Sequence, residues 1–224
     1  MPYPAAPWQL KGQCLQSLHW IDMAAAQPFI PDDFELISVL PGKTLGGVYL
    51  ATYGTGSTLD YNELIITPGL VRYGNELGAW ISHIYVDNPD SQAGGREIWG
   101  LPKELADFNW RGDGVDVSRV GQEFCSLTYK EGWLSFMDSI PGKLTGNVFS
   151  QLQGDILQFK GKFGTRSQIV DGQLTLPPDS PFASLNLGQP WMTLHSKTLD
   201  LIAEAPTVVG QAGQSGEQPL QVAV

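Results

Sequence analysis

The chain has 224 residues and a mass of 24.4 kDa, enough for one large domain with a substantial core. Hydrophobic residues make up 42% and charged ones 16%, which excludes a disordered chain, and 26 Gly with 16 Pro favour short strands joined by turns over a helical bundle. Lys and Arg number 13 against 23 Asp and Glu; a net charge of −10 repels phosphate backbones and anionic lipid, so neither nucleic acid nor a membrane surface is expected as a partner.

Up to Trp8 the chain reads as an extended arm, without the basic and apolar stretches of a secretory signal. Residues 13–21 alternate enough to be a strand. Asp22 before MAAAQPF predicts an N-cap and a short helix ending near Pro28 or Pro31. ELISVLPG (35–42) and GGVYLATY (46–53) read as strands, as does YNELIITPGLVRYG (61–74), whose apolar run is too short to cross a bilayer. AWISHIYVDN (79–88) is predicted as one strand, rich in aromatic and β-branched residues. DNPDSQAGGREIWGLPKELADF (87–108) reads as a loop leading into a short helical segment or a tight turn. Further strands are predicted at VDVSRV, EFCSLTYKE, WLSFMDS, DILQFKGKFGTRSQIVDGQLTL and MTLHSKTLDLI. The tail, from about residue 207 to 224, is expected to be mobile. No linker divides the chain, so 1–224 is read as one domain, mostly antiparallel β with few helices.

Several chemistries are missing from the sequence. His19, His83 and His195 lie far apart and no HExxH or CxxC spacing occurs, so no metal site is expected. Cys14 and Cys125 are the only cysteines and are expected to be buried free thiols in a reducing cytoplasm. No dinucleotide fingerprint, phosphate loop or GxSxG elbow is present.

One stretch is specific. YNE (61–63), ISHIYVDN (81–88) and GGREIWGLPKELA (94–106) together resemble the acetoacetate decarboxylase family in order and spacing. DGQLTLPPDSPFASL and LHSKTLDLIAEAP are also similar to its smaller members. The resemblance implies a cone-like antiparallel β-barrel or two-layered β-sandwich enclosing an apolar pocket. In that family the lysine after the proline forms a Schiff base with a keto acid, which assigns the role to Lys103. A free lysine holds its proton to about pH 10.4, and an apolar pocket favours the neutral nucleophile. Ile98, Trp99, Leu101 and Leu105 are apolar neighbours suited to such a pocket. A protonated imine accepts the electrons released by decarboxylation far better than a ketone does.

By the same resemblance Glu63 is a pocket carboxyl able to move a proton, and the guanidinium of Arg96 is suited to pair with a substrate carboxylate in bidentate fashion. Trp99, Tyr85 and Gln13 complete the expected substrate contacts. Two positions depart from the family: Glu104 stands where a second lysine follows the first, and Gln13 stands where a pocket arginine is expected. The leading expectation is therefore a carboxy-lyase, without cofactor or metal, acting on a small keto acid. Two alternatives stay open: an aldolase-dehydratase of the same family, and a non-catalytic barrel binding an apolar small molecule. A homo-oligomer is expected.

Overall fold

The computed structural model describes residues 3–131 and 140–213. The elements in chain order are β1 (Trp8–Asp22), α1 (Met23–Ala26), β2 (Glu35–Leu36), β3 (Lys43–Tyr53), β4 (Tyr61–Thr67), β5 (Gly69–Tyr73), β6 (Glu76–Trp80) and β7 (His83–Val86). They continue as α2 (Pro89–Trp99), β8 (Lys103–Leu105), β9 (Asp107–Arg111), β10 (Gly114–Arg119), β11 (Gln122–Lys130), β12 (Ile140–Leu152), β13 (Asp155–Thr175), β14 (Met192–Ala203) and β15 (Thr207–Gln211). Hydrogen bonds join the strands along an open path, β2-β5-β6-β12-β13-β14-β1-β3-β4-β7-β8. β11 and β15 add to β13, and β10 and β9 follow β11. The pairs are antiparallel except β6 with β12 and β7 with β8. The mostly β expectation holds, as a large mixed sheet that does not close. No described helix is long and apolar enough to cross a membrane.

Strand alternation sorts the buried side chains into two apolar clusters. In β1, Leu15 and Ile21 join a core with Phe34, Tyr85, Phe149 and Phe182, whereas Trp8, Leu10 and Cys14 join one with Tyr61, Ile84 and Trp99. Neighbours Ile84 and Tyr85 on β7 part in the same way.

Several sequence expectations are corrected. The run 61–74 is two strands, β4 and β5, because Pro68 has no N–H for a ladder. The run 79–88 is also split: β6 pairs with β5 and β12, and β7 with β4 and β8, so the chain changes partners at Ile81 and Ser82. Only Glu35 and Leu36 of ELISVLPG form a strand. β1 begins at Trp8, where the arm was expected to end, so the strand starts earlier than residue 13. The segment after Asn88 is an 11-residue helix where a loop and a short helical segment or tight turn were expected. The Asn88 side chain accepts from the backbone N–H of Asp90 (2.8 Å) and Ser91 (3.2 Å), Pro89 opens the first turn, and Gly100 at φ +63° closes the last. Within the tail, Thr207–Gln211 is strand β15, paired with the start of β13. The expected strand WLSFMDS (133–139) lies outside the described residues, as do 214–224. Both cysteines are free and buried.

Candidate functional site

α2 lies over β8, and its two adjacent glycines explain how closely. A Cβ at Gly95 would sit 2.6 Å from Lys103 Cε, and one at Gly94 would sit 2.6 Å from Trp8 Cζ2. The helix therefore gives up two side chains to let Lys103 and the Trp8 indole pass beneath it. Register completes the placement. Lys103 pairs with Ile84, Ile84 with Ile65, and Glu63 is two residues from Ile65 on the same face of β4. Tyr53 and Ala51 on β3 pair with Tyr61 and Glu63, so Tyr53 joins that face as well.

The Lys103 Nζ lies 2.9 Å from Glu63 Oε1 and donates to Ser91 Oγ at 3.0 Å. It also stands over the Tyr61 ring, 4.9 Å from the centroid, and 5.7 Å from that of Trp8. Lys103 is 3% exposed and Glu63 4%, so both charges are held out of water and depend on each other. Glu63 Oε2 accepts from the Tyr53 hydroxyl (2.9 Å), and the Tyr61 hydroxyl lies 3.5 Å from Oε1. Tyr53 and Tyr49 share a hydrogen bond of 3.1 Å. Burial, and then the Glu63 charge, hold the Tyr53 and Tyr61 phenols well above their usual pKa, so they remain donors to the carboxylate. Tyr49 is likewise raised, first by burial. Burial pushes the pKa of the neighbouring Cys14 thiol to about 11. A continuous polar chain thus runs from Lys103 through Glu63 and Tyr53 to Tyr49.

Lys103 and Glu63 open on a cavity of about 90 Å³ whose other walls include Trp8, Leu10, Ile65, Ile84, Trp99, Leu101, Phe159 and Leu201. A water's share of liquid volume is about 30 Å³, so the space suits a compact group of a few heavy atoms. Of the residues expected here from the sequence, Lys103, Glu63 and Trp99 meet at the cavity. Trp99 is fixed by its indole N–H donating to the Glu204 carbonyl at 2.7 Å.

The other three lie elsewhere. Arg96 is exposed on α2, and its Nε donates to the Lys103 backbone carbonyl at 2.6 Å, so it positions the strand that carries the lysine. Tyr85 is buried in the other core, its ring 4.7 Å from that of Phe124. Gln13 is on the face of β1 opposite Leu10 and Cys14, hence away from the cavity. Glu104 points away from Lys103, as successive strand residues do, and pairs with Arg119.

Sequence reading missed Ser91, Tyr49 and Tyr53 as site residues and gave Trp8 no role in the cavity. The alternation of Tyr49, Ala51 and Tyr53 down one face of a strand beside YNE was the available signal. No group of three or more His, Cys, Asp or Glu gathers at metal-binding distance among the described residues.

Comparison with known proteins adds to this geometry. The sequence profile of the family described as Acetoacetate decarboxylase (ADC) matches residues 1–135. The plant protein NEOXANTHIN-DEFICIENT 1 of Arabidopsis thaliana is 34% identical over 107 residues, a match that covers 48% of this chain and 38% of the relative. The chain thus matches well under half the length of that curated relative. The crystal structure of acetoacetate decarboxylase from Legionella pneumophila subsp. pneumophila str. Philadelphia 1 superposes with a TM-score of 0.72 at 21% identity, covering 94% of this chain and 90% of that one. The enduracididine biosynthesis enzyme MppR, solved with the condensation product of pyruvate and imidazole 4-carboxaldehyde, gives 0.66 at 13% identity, covering 93% and 91%. At these identities the two solved structures establish a shared fold.

Proposed function

The chain belongs to the acetoacetate decarboxylase family, and on that premise we propose that it is an enzyme whose Lys103 condenses with a small carbonyl compound to form an imine. The observation that carries the reading is the Lys103 amine, buried on the wall of an apolar cavity with a carboxylate 2.9 Å away. The pair provides what imine formation needs. Glu63 takes a proton from the Lys103 ammonium, the freed Nζ bonds to the carbonyl carbon, and a proton passes from nitrogen to oxygen. Glu63 then returns its proton to the hydroxyl, which leaves as water. The product is a cationic imine beside a restored carboxylate, with atoms and charge balanced.

Two reactions follow from such an imine. Loss of carbon dioxide from a keto acid is the first, and it is the reaction that names the family. Removal of an α-proton by Glu63 is the second, giving an enamine that adds to another carbonyl. Glu63 supports this one, because a carboxylate at the imine is a base for that proton. MppR, a structural neighbour, was captured with a condensation product.

The reading is tested by borohydride trapping. The protein is incubated with acetoacetate, pyruvate and short ketones and aldehydes, reduced, and analysed by intact mass and peptide mapping. We expect an adduct on Lys103 that is absent from Lys103→Ala and from Lys103→Met. Folded protein that yields no adduct with any carbonyl compound overturns the imine and leaves a binding protein for a small apolar molecule.

A further inference from the structure

The cavity contains one cation, and that cation is already matched. Among the described residues lining it, Lys103 is the only Lys, Arg or His and Glu63 the only acid. The undescribed residues 1–2, 132–139 and 214–224 contain no Lys, Arg or His, so their side chains cannot supply a further cation. The guanidinium nearest in sequence, Arg96, is exposed and bound to the Lys103 carbonyl. When Lys103 becomes an imine, its single positive charge again faces Glu63, and the cavity is neutral. A substrate carboxylate would add a third charge inside walls such as Leu10, Ile65, Phe159 and Leu201, with no partner. An isolated buried carboxylate is strongly unfavourable. A neutral carbonyl compound adds none.

We infer that the site selects neutral, short-chain apolar ketones or aldehydes, and discriminates against keto acids. The inference rests on the imine reading above and narrows its substrate class. The cavity volume of about 90 Å³ accommodates a carbonyl with a short alkyl arm. Glu63 thereby has two roles. It moves the proton during imine formation, and its charge sets the specificity of the pocket.

The test compares acetoacetate with 2-pentanone, which has the same methyl ketone with an ethyl group in place of the carboxylate. Each is incubated with the protein at equal concentration and neutral pH, then reduced with borohydride. Adduct on Lys103 is timed by mass, counting both the intact and the decarboxylated acetoacetate adducts. We expect 2-pentanone to label at least about tenfold faster. In Glu63→Gln the compensating charge is gone and a substrate carboxylate can take its place beside the imine. Labelling by both compounds slows, and the ratio moves towards acetoacetate. Equal or faster labelling by acetoacetate in the wild-type protein overturns the substrate class and leaves the imine reading standing. Folded wild-type protein that is labelled by neither compound overturns both. The wild-type ratio decides without the variant if Glu63→Gln does not fold.

Discussion

The two cores share strands β1, β3, β4, β7 and β13 and differ in what they hold. The core around Phe34 and Phe149 is closed by aromatic contacts, Phe34 standing 5.0 Å from Trp80 and 5.5 Å from Phe149 between ring centroids. Its buried histidine, His19, is held towards the neutral form by burial, while its ring nitrogens contact the Ser17 hydroxyl and the Leu187 carbonyl. The core around Trp8 and Trp99 instead holds an ion pair, three tyrosine hydroxyls and an unfilled space. A buried ion pair is a poor means of stabilising a fold, because desolvating both charges offsets most of their attraction. The first core therefore supports the fold and the second carries the proposed chemistry. Changes in one should be separable by experiment from changes in the other.

The largest effect expected is at Lys103. Lys103→Met abolishes the borohydride adduct and strands the Glu63 charge in an apolar wall, which costs about 3–5 kcal/mol in urea unfolding. Adding Glu63→Gln to Lys103→Met should recover most of that loss and none of the labelling. A single variant as stable as the wild type would mean that the pair is solvated. Phe149→Ala is the converse. Emptying that position costs about 3–5 kcal/mol, while the folded protein labels at the wild-type rate. Gly95→Ala falls between the two. Alanine favours the helix by about 1 kcal/mol, but its Cβ would overlap the Lys103 side chain, coming within 2.6 Å of Cε. Displacing the amine on the order of 1 Å slows labelling by about a hundredfold. Unchanged labelling in that variant would show that the close approach of α2 is not what aims the lysine.

What the sequence revealed follows the same division. The lysine, the glutamate and Trp99 were legible because they sit in or beside short motifs, YNE and GGREIWGLPKELA, that resemble those of the acetoacetate decarboxylase family. Helix α2 was less so: Asn88, Pro89 and Gly100 were its start and stop signals, but Gly94 and Gly95 lower helix propensity and outweighed them. Those glycines answer to a contact with β8 and Trp8, which no local pattern reveals. Arg96 and Tyr85, taken from within the motif, and Gln13, placed by the family resemblance, all lie away from the cavity. Proximity in sequence to the motif says little about which face of a strand or helix a side chain takes, and Tyr85 is one residue from Ile84 yet belongs to the other core. Tyr49 and Tyr53 lie on a strand whose register against β4 is a tertiary fact. Their link to Glu63 became visible only once Ala51 was seen to pair with it.

The smallest effect sharpens the comparison from the apolar side. Burial lowers the pKa of His19, and it does the same for His83 and His195, where Lys197 also contributes at His195. In the unfolded chain these rings take up protons near pH 6.5. The native protein takes them up only at lower pH, so between the two the unfolded state binds more protons. Stability present above about pH 6.5 is therefore lost as pH falls through that window. His19 is the clearest source, being fully buried with both ring nitrogens engaged, Nε2 2.9 Å from the Ser17 hydroxyl and Nδ1 3.0 Å from the Leu187 carbonyl. Urea unfolding of wild type and His19→Gln at pH 7 and pH 5 tests this. The variant begins less stable, having lost a fitted ring, but should lose less on acidification. An equal loss in both proteins would place the acid sensitivity at groups other than His19, such as His83, whose ring lies 5.6 Å from that of Phe182.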